Sequence, residues 1–511
     1  MTIHFVSLLV LLVPAGAAVG LFFVDERRKD LIRRIAKYAA GVPVVLAVLM
    51  WVGYAPEGAK YQFVTDIDWA PSVGLGFRLG ADGISMAMTL LTSIVLYTGV
   101  LISSSIHDRV KEHYILLLAL GTGVFGVFLS LDLFFFYFFY EMAVIPMYLL
   151  IGVWGSRAAQ YSKEYATMKL TLYLTAGAVL ALIGILAIYF AGPGTFDIRV
   201  LEQEEFGVGF QWTWFPVIFL GFACIIPMWP LHSWSPIGHA AAPSAVSMLH
   251  AGDLMKLGAN GVLRIGYGIL PAGAEHWMGW VALLCCMNIL YGGLVAMAQR
   301  DMKFIIGFSS SSHMGYVLLG LATLGVAGTT GAGFLMFAHG IMTALAFALV
   351  GFVYDQAHTR VVDEWGGLMK QMPFIGTCFV IMAMASAGLP GFANFASELL
   401  VIVGSWESGF HLAGLDVTVR YLPTIAAVWG LVVTSVYMLR AVRDGWFGPP
   451  NPRWEGLADA VTVRQKYPFV VLILVLVFTG CFPGTLVDSI QKGVRNVLDR
   501  VQPVSVAEEP R

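Results

Sequence analysis

The chain reads as a succession of long apolar runs separated by short polar connections. A helix that crosses a bilayer needs about 20 mostly apolar residues. Such runs lie near 3–24, 35–54, 84–105, 113–131, 133–154, 168–191, 213–231, 245–269, 275–298, 304–325, 328–354, 373–403, 421–440 and 467–487. The pattern predicts an all-α polytopic membrane protein with about 14 transmembrane helices. The first run has the look of a secretory leader. It lacks a basic leading region and a clear cleavage site, and it ends in a strongly basic loop, so it is read as a true span.

Composition removes the soluble alternatives. Of 511 residues, 58% are hydrophobic and only 12% charged, about half the charged share of a soluble domain. Mean hydropathy is +0.78. The net charge of −2 offers no basic footprint for nucleic acid. Cys224, Cys285, Cys286, Cys378 and Cys481 all sit in or beside apolar runs, without metal-binding spacing, and read as small buried hydrophobes. There is no glycine-rich phosphate loop. The chain is therefore expected to hold no cofactor and no metal of its own.

Lysine and arginine set the orientation. The loop from Asp25 to Lys37 holds six basic residues. Alternate connections continue the bias through Arg109 and Lys111, Arg157, Lys163 and Lys169, Arg300 and Lys303, Arg360 and Lys370, and Arg440 to Lys466. Both termini are thus expected on the non-cytoplasmic side, and residues 55–83 read as an extracytoplasmic loop with short strands. After about residue 488 the tail reads as an interfacial helix followed by a disordered Pro/Glu end.

Two runs are interrupted by proline, near 226–236 (Ile226-Pro-Met-Trp-Pro230) and near 388–394 (Gly388-Leu-Pro390-Gly). Proline removes a helical hydrogen bond, and irregular backbone at membrane depth survives only inside protein or along a wet cavity. Paired broken helices five spans apart point to inverted repeats with ion sites near the midplane. The expected division is 1–112 for the N-terminal helices and loop, 113–270 and 271–445 for two five-helix repeats, and 446–511 for the last span and tail.

Ionisable side chains inside spans are costly and are functional candidates by default. Glu141 follows the nearly all-aromatic run Leu133–Tyr140. Lys256 lies in Leu249-His-Ala-Gly-Asp-Leu-Met-Lys256, where His250, Asp253 and Lys256 are spaced three apart. On a regular helix they share one face, and Asp253 can pair with Lys256. His313, in a run of four serines, and His339 lie in two further spans, and imidazole suits a proton relay. Glu398 follows the second break. For each of these the plainer reading is a static, hydrogen-bonded core group. His232 is a secondary candidate, Lys169 has room to snorkel, and Asp132 reads as a helix cap. Acid, base and imidazole spread over five helices suit a proton wire, and no convergent substrate pocket is visible.

The stretches Phe138-Phe-Tyr-Glu141-Met-Ala-Val-Ile-Pro146, Pro227-Met-Trp-Pro-Leu-His232-Ser-Trp-Ser-Pro236-Ile-Gly-His239, Lys256-Leu-Gly-Ala-Asn-Gly-Val-Leu-Arg264, Ser312-His-Met-Gly and Gly388-Leu-Pro-Gly-Phe-Ala-Asn-Phe-Ala-Ser-Glu398 resemble the antiporter-like subunits of respiratory complex I, NADH:quinone oxidoreductase. The likeness covers about residues 80 to 445 and is strongest to the M chain, also called chain 4. It implies a proton-translocating subunit, flanked by two antiporter-like chains in a bacterial inner membrane. Flavin (FMN), iron–sulfur clusters and quinone would belong to partner subunits. It also implies proton transfer by Glu141, Lys256, His313, His339 and Glu398.

This chain departs from the family at several positions. Ile226 stands where a lysine is usual, Gly238 and Ala242 replace acidic residues, and Asp253 replaces an apolar one. Glu141 thereby lacks its expected cation. The alternatives that share these motifs are a cation/proton antiporter subunit of the Mrp type and a membrane subunit of a hydrogenase or inorganic-carbon uptake complex. A purely structural spacer is a further reading.

Overall fold

The computed structural model describes residues 5–157, 161–415 and 417–501. The expected disordered tail end, 502–511, lies outside them. Helices come first as α1 (Val6–Phe22) and α2 (Lys29–Gly53), then an antiparallel pair, β1 (Gln62–Ala70) and β2 (Leu75–Ala81). There follow α3 (Gly83–Ile102), α4 (Val110–Leu129), α5 (Leu133–Trp154), α6 (Lys163–Ala191), the short α7 (Ile198–Leu201) and α8 (Val208–Ile225). Next come α9 (Trp234–Ala241), α10 (Ser244–Leu249), α11 (Met255–Gly261), α12 (Pro271–Ala298), α13 (Met302–Ala322) and α14 (Val326–Ala357). The chain closes with α15 (Val362–Trp365), α16 (Pro373–Ser386), α17 (Ala393–Glu407), a small strand pair, α18 (Leu422–Trp446), α19 (Val463–Cys481) and α20 (Gly484–Val501).

Among the described residues, 11 helices are long and apolar enough to cross a membrane. Three segments that the sequence reads as spans take other forms. α1 has only 17 residues. Residues 244–267 form α10 and α11, each followed by a π-turn, His250–Leu254 and Val262–Tyr267. The run 373–403 divides into α16 and α17. α13 and α14 form the buried centre, and α14 packs against α3, α17 and α19. The amphipathic tail helix α20 is present and buries Leu486, Ile490, Val494, Val497 and Val501, packing on α3 and α14.

Both proline breaks are real. α8 ends at Ile225, and a turn through Pro227 and Pro230 leads to α9. The freed backbone finds partners: Trp229 N–H donates to Asn288 Oδ1 at 2.7 Å, and the Trp234 indole donates to the Cys224 carbonyl at 2.9 Å. This satisfies the polar groups that hydrocarbon would leave stranded. The second break turns through Gly388 and Gly391, with φ of 69° and 101°, a conformation natural to glycine.

Charges on the strand-bearing side are clustered. Asp132 caps α5 by accepting from the N–H groups of Phe134 and Phe135, and Arg78 binds it at 2.9 Å. Arg78 also meets Asp66 at 3.2 Å and Asp197 at 3.3 Å. Asp132 is a cap, as its position suggests. Nearby, Arg264 in the second π-turn binds Asp82 at 2.8 Å and donates to Ser85 Oγ at 2.5 Å and to the Tyr61 hydroxyl at 3.2 Å. Tyr61 in turn donates to Glu202 at 2.8 Å, which pairs with Lys60 at 2.7 Å.

Helix contacts rest on small residues, as membrane packing favours. A methyl placed on Gly404 of α17 would lie 2.3 Å from the Gly328 nitrogen of α14, where no side chain can yield. Gly404→Ala is expected to cost about 1–3 kcal/mol by overpacking, read as a lower thermal midpoint of the purified protein. An unchanged midpoint would contradict this packing.

Candidate functional site

The centre of the molecule holds four ionisable side chains in one file. Lys256, on α11, is fully buried. Its ammonium donates to the Ala251 carbonyl and to Nδ1 of His339, the latter at 2.9 Å. His339, on α14, lies with its ring 5.2 Å from that of His313. His313, on α13, donates through Nδ1 to the Ser309 carbonyl at 2.8 Å and sets Nε2 3.4 Å from Oε1 of Glu398. Glu398, on α17, is also fully buried. Four helices thus contribute one side chain each to a path from lysine through two imidazoles to a carboxylate.

Local structure sets each position. The first π-turn and α14 meet through glycine, because a methyl on Gly340 would come 2.8 Å from the Gly252 carbonyl oxygen. That close approach lets the lysine reach the neighbouring histidine. The first π-turn precedes Lys256, and π-turns often mark functional sites. Glu398 is bounded by the second break: a methyl on Gly388 would lie 2.5 Å from its Oε2. The serines beside His313 have mixed duties. Ser309 Oγ accepts from the Tyr437 hydroxyl at 2.7 Å, Ser312 donates to the Ile289 carbonyl at 2.8 Å, and Ser311 donates to the Gly307 carbonyl at 3.4 Å.

A second line of rings approaches Lys256 from the side of the basic connections. Lys303 is buried and donates to the Ala242 carbonyl at 2.6 Å. Arg360 donates to the Ala240 carbonyl at 2.6 Å and pairs with Asp301 at 3.2 Å. One turn away, His239 is fully buried with its ring 4.0 Å from His250. His250 stacks on Trp234 at 5.2 Å and lies within electrostatic reach of Lys256.

The sequence-derived candidates therefore sort into groups. Lys256, His339, His313 and Glu398 come together, and His250 joins them. Asp253 is fully buried beside them, but the expected direct ion pair with Lys256 is not formed. The π-turn displaces the regular-helix spacing on which that expectation rests, and the ammonium turns to His339 instead. Glu141 stands apart. It is half-buried on α5, faced by Tyr137 one turn earlier, and no ion pair joins it to a cation among the described residues. Ile226, fully buried, occupies the break. His232 packs its ring 5.3 Å from that of Tyr291, and Lys169 lies 5.9 Å over the Tyr165 ring, both away from the file.

Sequence reasoning missed His239 and Lys303 as site residues. His239 had a signal, a second histidine beside the broken helix. Lys303 had none, since a lysine next to a basic connection reads as solvated. No group of three or more metal-ligating side chains occurs among the described residues.

Because each buried member relies on its neighbour, His339→Ala should strand the Lys256 ammonium. The expected loss is about 1–3 kcal/mol, seen as a lower unfolding midpoint. Adding Lys256→Met should recover most of it. A double substitution less stable than His339→Ala alone would contradict the contact.

Comparison with known proteins places the chain in a family and matches its fold. Residues 130–420 match the family described as NADH:quinone oxidoreductase/Mrp antiporter, transmembrane. The chain is 34% identical over 502 residues to NADH-quinone oxidoreductase subunit M of Rhodobacter capsulatus, covering 95% of this chain and 94% of that one. Its fold matches a chain of respiratory complex I from Thermus thermophilus, with a TM-score of 0.86 at 23% identity over 98% of this chain and 100% of that one. It also matches a chain of the Mrp complex from Dietzia, with a TM-score of 0.83 at 20% identity over 99% and 98%. The chain belongs to the NADH:quinone oxidoreductase/Mrp antiporter transmembrane family.

Proposed function

We propose that this chain is a proton-translocating membrane subunit of an NADH:quinone oxidoreductase of the complex I type. The observation that carries the reading is the file Lys256–His339–His313–Glu398, crossing four helices with its two closest links at 2.9 and 3.4 Å. Likeness to a subunit M over nearly the whole chain supports the host assignment. Energy released by quinone reduction in other subunits would alter the pairing of these charges. Lys256 would accept a proton from the His239 and His250 side and pass it to His339. His313 and Glu398 would carry it onward. Glu141, half-buried at the periphery, would take part where this chain meets a neighbour, and Lys169 and His232 would serve near the first break.

The chain itself would hold no redox centre. FMN, iron–sulfur clusters and quinone would belong to partners, with an antiporter-like chain on each side. The host membrane would be a bacterial inner membrane with both termini on the periplasmic side, in keeping with the basic bias of alternate connections. The breaks at 226–233 and 387–392 support two inverted repeats, 113–270 and 271–445, flanked by 1–112 and 446–511, with about 14 crossings in all.

The fold match to the Mrp chain favours a second reading, a cation/proton antiporter subunit. Proteoliposome exchange of Na⁺ for H⁺ without electron transfer would establish it.

In the assembled enzyme, Lys256→Met and Glu398→Gln should each lower NADH-driven proton pumping on the order of a hundredfold, within the range of a general acid–base contribution. Quinone reduction in uncoupled membranes should persist. An unchanged proton-to-electron ratio in both variants overturns the reading.

A further inference from the structure

Lys256 is enclosed by protein, yet among the described residues no carboxylate forms an ion pair with it. An isolated buried ammonium costs several kcal/mol unless an opposite charge or hydrogen bonds compensate it. The Ala251 carbonyl and His339 supply hydrogen bonds and no negative charge. The acid that acts electrostatically on Lys256 is Asp253, three residues earlier and equally buried. Asp253 carries the complementary deficit. Both its oxygens lack a well-formed hydrogen bond, and the Thr92 side chain of α3 faces them. Two buried titratable groups of opposite kind, each short of a partner and three residues apart, solve the same problem together. Glu141 does not compete, since it sits half-buried on α5 beside Tyr137 and no ion pair joins it to a cation among the described residues.

We infer that Asp253, and not Glu141, is the counter-charge of Lys256, so that the acid–base element of this subunit lies within one π-turned helix. The inference rests on the proton-translocation reading above. When Lys256 gives its proton to Nδ1 of His339, it is left as a neutral amine. Asp253 is left as an uncompensated buried anion. That anion draws the next proton onto Lys256 from the His250 side and resets the pair. Asp253 acts through the lysine and is a positioning residue for the charge.

The test uses the assembled enzyme reconstituted in liposomes, reading the proton-to-electron ratio. Asp253→Asn should lower pumping on the order of tenfold, within the coupling range of residues that share one electrostatic network, while Asp253→Glu retains most of it. Asp253→Asn combined with Lys256→Met should pump no worse than Lys256→Met alone. Asp253→Asn combined with Glu141→Gln should multiply the two single effects. Should Asp253→Asn fail to assemble, the double variant with Lys256→Met should assemble, because no lone ammonium remains. Normal pumping by Asp253→Asn, independence from Lys256, interdependence with Glu141, or failure of both the single and the double variant to assemble each overturns the inference. Normal pumping by Lys256→Met would instead bring down the proton-translocation reading itself.

Discussion

An ammonium ion sealed inside a helical bundle has few ways to exist, and the architecture around Lys256 follows from them. Its charge needs donors matched to acceptors and an anion within reach. The carbonyl of Ala251 and the imidazole of His339 meet the first need. Bringing that imidazole close enough requires helices that touch backbone to backbone, which is the role of Gly252 and Gly340. The π-turn between His250 and Leu254 then determines which way Asp253 and Lys256 face. The second break, with Gly388 against Glu398, closes the far end of the file under the same demand for close approach.

The two broken helices place irregular backbone at the flanks of this file. Each is held by side chains from other helices. Asn288 of α12 links the first break to α13, accepting from Trp229 N–H and donating to the Ser311 carbonyl, both at 2.7 Å. The bond ties the break to the helix that carries His313. α19 packs directly on the second break, since a methyl on Gly480 would lie 2.4 Å from the Phe392 carbonyl carbon. Such contacts connect the geometry of the breaks to the spacing of the titratable groups. In the proposed mechanism that connection is where work done elsewhere reaches the protons.

Much of this was legible in the sequence. Apolar run length marks spans because hydrocarbon thickness is fixed, and proline marks breaks because it lacks an N–H. Buried ionisable groups stand out because membrane interiors penalise them, which found Lys256, His313, His339 and Glu398 without any contact map. The limits are equally physical. A π-turn leaves no distinct residue pattern, so regular-helix periodicity does not disclose that the Lys256 ammonium bonds His339 and makes no direct ion pair with Asp253. Lys303 looked solvated because burial by a distant segment, here Ala242, is invisible along the chain. The aromatic run before Glu141 gives no sign that one face of α5 is left open, at Phe138, Ile145 and Tyr148, with Glu141 half-buried on the same helix.

The cluster of Arg264, Asp82, Ser85, Tyr61 and Glu202 has a mechanical meaning. Arg264 stands eight residues beyond Lys256, about 12 Å along the helix, and is tied to two separate parts of the chain, Tyr61 and the start of α3. Sliding this helix along its axis would have to break the Asp82 ion pair and the Ser85 and Tyr61 hydrogen bonds together, so Arg264 anchors the register of the segment that carries Lys256.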